Sequence, residues 1–134
     1  MKRTLEQERA AHALSKVHQI EKTLDPDKAE KFASYVERLP ATILNNGLGQ
    51  ALATLLAQSK GDRGDPHYQL YAFLHDWLCR DDPQAPYRTA GDLMEAIVNN
   101  DRQTYLRAQA EALSWLNWLK KFAVAYLKKN GGGR

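Results

Sequence analysis

The sequence predicts an all-α fold, a compact single-domain bundle of five to seven helices, and three observations carry that prediction. Apolar residues recur at spacings of three and four over most of the chain, and no stretch alternates at period two long enough to make a strand. Helix-opening residues punctuate the pattern at Asp25-Pro26, before Tyr68 and at Asp101. A chain of 134 residues fits one domain and can bury about two-thirds of its unfolded surface. The domain is expected to span residues 1–130, with the glycine-rich residues 131–134 a disordered tail.

The first helix is expected from about Thr4 to Thr23, with Leu5, Ala13, Leu14, Val17 and Ile20 on one side and Arg9, Lys16 and Glu21 exposed. Asp25 can cap the next helix and Pro26 suits its first turn. That helix carries Ala29, Phe32, Val36 and Leu39, after which Pro40 either starts a new helix or kinks a continuous one, because it has no amide hydrogen. Ile43, Leu44, Leu48, Leu52, Leu55 and Leu56 keep helical spacing through the following stretch. Lys60 to Pro66 is a loop by composition, and Pro66 opens a helix holding Tyr68, Tyr71, Leu74, Trp77 and Leu78. A second loop runs from Arg80 to Arg88, and Thr89 with Asp92 resembles a capping box for a short helix through Leu93, Met94, Ile97 and Val98. Asp101 caps a long last helix, Arg102 to about Lys129, apolar at Leu106, Leu113, Leu116, Leu119, Ala123 and Leu127, with Trp115, Trp118, Phe122 and Tyr126 as an aromatic set.

Charge and cysteine content narrow the function classes. The net charge is +3, unevenly placed: from Trp118 to Arg134 the charged residues are Lys120, Lys121, Lys128, Lys129 and Arg134, all basic. Such an asymmetry permits nucleic-acid contact without requiring it. One cysteine, Cys79, excludes an internal disulfide framework and suits a reducing cytosol. Charged residues interrupt the N-terminus, so no signal peptide is expected, and no apolar run reaches the roughly 18 residues of a membrane span. A soluble cytoplasmic protein without a membrane partner is the expectation.

The most unusual segment is Leu39 to Leu56, where Asn45, Asn46, Gly47, Gly49 and Gln50 interrupt an apolar helical pattern. Each helical glycine costs about 1 kcal/mol relative to alanine, and a buried amide without a partner costs about 1–3 kcal/mol. Placed on one helix, Asn45 and Gly49 share a face, as do Asn46 and Gln50, making a ridge of little bulk. The ridge serves either a tight helix crossing or contact with another molecule. Being uncharged, it suits protein or base and sugar edges better than phosphates.

Leu-Pro-x-x-Ile-x-x-Asn-Gly-Leu-Gly-Gln-x-Leu-Ala, from Leu39 to Ala53, resembles the signature of the small helical subunit of the type III-B CRISPR ribonucleoprotein, the Cmr RNA-silencing complex. A Tyr-Val-x-x-Leu-Pro lead-in from Tyr35 to Pro40, a basic first helix and the aromatic helix from Tyr68 to Leu78 fit the same pattern. The resemblance implies a compact all-α subunit without catalytic activity, serving antiviral defence. It implies partnership with other Cmr subunits: copies stack into a filament beside the backbone subunit that holds the crRNA, and the groove between the filaments receives target RNA. Asn46, Gly47, Leu48 and Gln50 are the motif positions carried over, chiefly architectural.

No catalytic constellation stands out. His75 and Cys79 have metal-ligand spacing, but a zinc site needs more ligands, and no metal or other cofactor is expected. His12 and His18 read as surface or boundary residues, and Asp62, Asp65, Asp81 and Asp82 as solvated turns and caps. Neither a P-loop nor Gly-x-Gly-x-x-Gly is present. The chain is therefore read as no enzyme. Lys2, Arg3, Arg9 and Lys16 could form a stripe along the first helix, extended by Lys120 and Lys121, that follows an RNA backbone. The competing expectation is a stand-alone helical adaptor that binds protein through the amide ridge and touches no nucleic acid.

Overall fold

The computed structural model describes residues 2–128, and the tail expected at 131–134 lies outside them. Six helices make up the described chain: α1 (Leu5–Thr23), α2 (Pro26–Asn46), α3 (Leu48–Ser59), α4 (Pro66–Leu78), α5 (Leu93–Asn99) and α6 (Arg102–Leu127). No strand occurs among the described residues.

Local chemistry explains most helix starts. Thr4 and Gln7 form a reciprocal capping box on α1. Asp25 accepts from the Lys28 amide at 2.9 Å, Asp65 from His67 at 2.7 Å and Asp101 from Thr104 at 2.8 Å, each satisfying an amide that has no partner within its helix. The box expected from Thr89 and Asp92 is different in detail. Asp92 is itself the cap, accepting from Glu95 at 3.0 Å, while Thr89 sits at φ 59° in the preceding turn, its amide bonded to the Cys79 carbonyl. Tyr71 completes this cap from α4, donating to Asp92 at 3.0 Å and accepting from the Met94 amide at 3.2 Å.

Pro40 does not start a new helix, because α2 runs through it to Asn46. The break comes at Gly47, which ends α2 and caps α3. The stretch read as one apolar helical pattern is thus divided between two helices.

Helix α6 packs against both α1 and α2, and α4 joins α2 and α3. The core between them contains Ile20, Phe32, Ile43, Leu52, Leu70, Leu74, Trp115, Leu116 and Leu119, all fully buried. Each such aliphatic or aromatic side chain contributes about 1.5–3 kcal/mol by leaving water. Four residues placed in apolar or aromatic patterns by spacing are instead exposed: Leu44, Val98, Leu106 and Tyr126. For Leu106 the reason is geometric. Tyr105 turns inward to α3, and the next side chain projects about 100° further around the helix.

Candidate functional site

Gly47 organises the junction between α2 and α3. Its φ of 90° and ψ of 157° lie in a region essentially reserved for glycine. Glycine has no side chain to cap α3, and the opening amides of that helix are satisfied from α6: Leu48 donates to Gln109 Oε1 at 2.9 Å and Gly49 to the Tyr105 hydroxyl at 2.9 Å. Tyr105 and Gln109 stand four residues apart, on one face of α6. A Cβ on Gly47 would lie 3.0 Å from the Tyr105 hydroxyl, whereas one on Gly49 would meet ordinary contacts at 3.6 Å or more. Leu48 is fully buried.

The amide ridge does not form as drawn on one helix, since Asn45 and Asn46 end α2 and Gln50 begins α3. All three amide side chains are exposed, so the backbone amides of Leu48 and Gly49, rather than the side chains, make the bonds across the crossing. Leu44, just before them in α2, is exposed as well.

The expected basic stripe is likewise divided. Lys2, Arg3, Lys120 and Lys121 are exposed, but Arg9 and Lys16 continue the inward face of α1 set by Ala13, Val17 and Ile20. The Arg9 guanidinium forks onto Glu111, Nε to Oε2 at 2.7 Å and Nη2 to Oε1 at 2.8 Å, and Nη1 reaches Glu6 at 2.8 Å. Trp77 Nε1 donates to the same Glu111 at 3.0 Å. Hydrogen bonding to Glu111 raises the Arg9 pKa further, and the Arg9 hydrogen bond lowers that of Glu6. Lys16 pairs with Asp76 at 3.1 Å and lies over the Phe73 ring.

His12 lies at the boundary, its side chain 17% exposed. Trp115 Nε1 donates to its Nδ1 at 3.0 Å, so the ring hydrogen belongs on Nε2, which faces Asp76 Oδ2 at 2.7 Å. Burial lowers the His12 pKa, opposed by Asp76 and assisted by the charges of Lys16 and Arg80. Protonation would put two donors, Trp115 N–H and His12 Nδ1–H, against each other. The unfolded state therefore binds this proton more readily than the folded one, so stability is fully present above about pH 6.5 and is lost as pH falls below it, toward the depressed folded value. A urea midpoint that drops from pH 7.5 to 5.5 in the wild type, and drops less in His12→Gln, is the expected result. An equal drop in both would assign the pH dependence to other groups.

The remaining candidates do not assemble. No three His, Cys, Asp or Glu side chains converge among the described residues. Cys79 is buried with its thiol pKa pushed up to about 11 by burial, which keeps it protonated and a poor nucleophile. His75 bonds the Gly91 carbonyl at 3.2 Å. Asp81 pairs with Arg88, while Asp62, Asp65 and Asp82 bond backbone amides in their own turns. None of the described helices is long and apolar enough to cross a membrane.

The described residues form an all-helical bundle with a glycine junction between α2 and α3 and exposed basic side chains near both ends of the described chain. The model of the CRISPR-associated protein family Cas_Cmr5 matches residues 5–126, nearly the whole described chain, and the chain belongs to that family. It is thereby a small subunit of a type III-B CRISPR complex, associated with other Cmr subunits.

Proposed function

We propose that this chain is a non-catalytic subunit that stacks with further copies of itself beside the crRNA-holding backbone and helps the Cmr complex accommodate target RNA. Family membership over residues 5–126 carries the proposal. The basic contacts fall to Lys2, Arg3, Lys120 and Lys121, which have no ion-pair partner among the described residues. Arg9 and Lys16 hold the bundle together, so charge reversal there would test folding rather than RNA contact. Gly47, Leu48 and Gly49 are architectural in this reading. Asn45, Asn46 and Gln50 form an uncharged surface suited to a neighbouring subunit.

The test is target-RNA capture over a salt series by complexes assembled with wild type or with Lys2→Glu, Arg3→Glu, Lys120→Glu and Lys121→Glu combined. The variant is expected to fold normally and to flatten the slope of log K against log salt by about 0.7 for each lost phosphate contact. Unchanged capture and slope would remove these four residues from the RNA path.

A further inference from the structure

We infer that the crevice between α2 and α3 receives one unpaired RNA base, stacked against an assembly of Arg38, Tyr35 and His67. The Tyr35 and His67 rings lie face to face, with centroids 3.8 Å apart and planes inclined by 15°. The Arg38 guanidinium carbon lies 5.4 Å from the Tyr35 ring centre. His67 is fixed by Asp65, whose Oδ1 is 2.7 Å from its Nδ1. The ring pair thus joins α2 to the start of α4, with His67 anchored by Asp65.

The setting matches what a base requires. The crevice has a volume of about 180 Å³, and its wall includes Thr42, Thr54 and Gln58 beside the stack. The Thr42 and Thr54 hydroxyls donate back to the carbonyls of Arg38 and Gln50, leaving their lone pairs available to a base edge, while the exposed Gln58 amide can donate or accept. Tyr35 and Arg38 also border a more open hollow of about 490 Å³, where Lys31 is a further cation and Asp27 and Glu30 are anions. Arg38 is exposed and has no ion-pair partner among the described residues. Its planar cation can therefore stack on a base while remaining close to the neighbouring phosphate. With only two hydroxyls and one amide at the edge, recognition would tolerate any base, as stacking sites do.

This inference rests on the RNA-accommodating reading above but places the contact away from Lys2, Arg3, Lys120 and Lys121. The experiment photo-crosslinks a single-stranded RNA containing 5-iodouridine to the full chain in the assembled complex, and measures RNA affinity for wild type, Arg38→Gln, Tyr35→Leu and Tyr35→Phe. Arg38→Gln changes an exposed head group and guards against a folding artefact. Expected are a crosslink within residues 31–42, at least about a fivefold loss of affinity in Arg38→Gln and Tyr35→Leu, and little loss in Tyr35→Phe, which keeps the ring face. RNA capture that is insensitive to Arg38→Gln, with crosslinks elsewhere, overturns the crevice and leaves the RNA-accommodating reading standing. Absence of any RNA contact to this subunit in the assembled complex overturns both. Unchanged RNA affinity with weakened assembly of the Arg38→Gln subunit would make the surface a protein interface and overturn the inference.

Discussion

Gly47→Ala is expected to lower the stability of the bundle by about 3 kcal/mol, whereas Gly49→Ala, two residues away, leaves it unchanged or raises it by up to about 1 kcal/mol. At Gly47 two penalties coincide. An L-residue is strained at φ 90° and ψ 157° by about 1–3 kcal/mol, and its Cβ would stand 3.0 Å from the Tyr105 hydroxyl. Moving that hydroxyl weakens the bond it accepts from the Gly49 amide, exposing a second cost. Gly49 lies inside α3 with space for a methyl group, so alanine there gains helix propensity. Urea unfolding of the two variants checks the contrast. Equal destabilisation by both would mean that crowding, not backbone conformation, sets the need for glycine.

Glu111→Ala is expected to cost a similar amount, about 3 kcal/mol. The Arg9 and Glu111 side chains are only 16% and 11% exposed, so solvent screens their attraction far less than at the surface. Removing Glu111 leaves the guanidinium without its main acceptor and Trp77 Nε1 without a partner, and both losses are paid at once. The exposed pair Arg88–Asp81, 52% and 75% open, makes the comparison: Asp81→Ala is expected to change stability by less than about 1 kcal/mol. A double change, Arg9→Met with Glu111→Met, is expected to recover only the part of the loss that comes from the unpaired guanidinium, since Trp77 Nε1 still lacks its acceptor. Should Glu111→Ala unfold at the same urea concentration as wild type, the fork would have no energetic role.

The amino-acid sequence by itself determined the helical class and most helix starts, because these depend on groups three or four residues apart. Thr4, Asp25 with Pro26, Asp65 with Pro66, and Asp101 each act on amides in the turn that follows. The motif from Leu39 to Ala53 also pointed to the family that the match over residues 5–126 establishes. Only the tertiary structure decided what the motif does. The spacing of Ile43, Leu44, Leu48 and Leu52 reads as an unbroken helix, and one glycine at positive φ breaks it. The residues that stabilise the break, Tyr105 and Gln109, are 56 and 61 positions from their partners. Arg9 looked solvent-facing because its acceptor, Glu111, is 102 positions away. A position in phase with Ala13 and Val17 was the available sign that it faces inward. His12 sits at the boundary as its spacing suggests, but its partners, Trp115 on α6 and Asp76 on α4, are fixed by the packing of distant helices. Local caps report on nearby chain, but the direction and partner of a long polar side chain depend on which helices the fold brings alongside it.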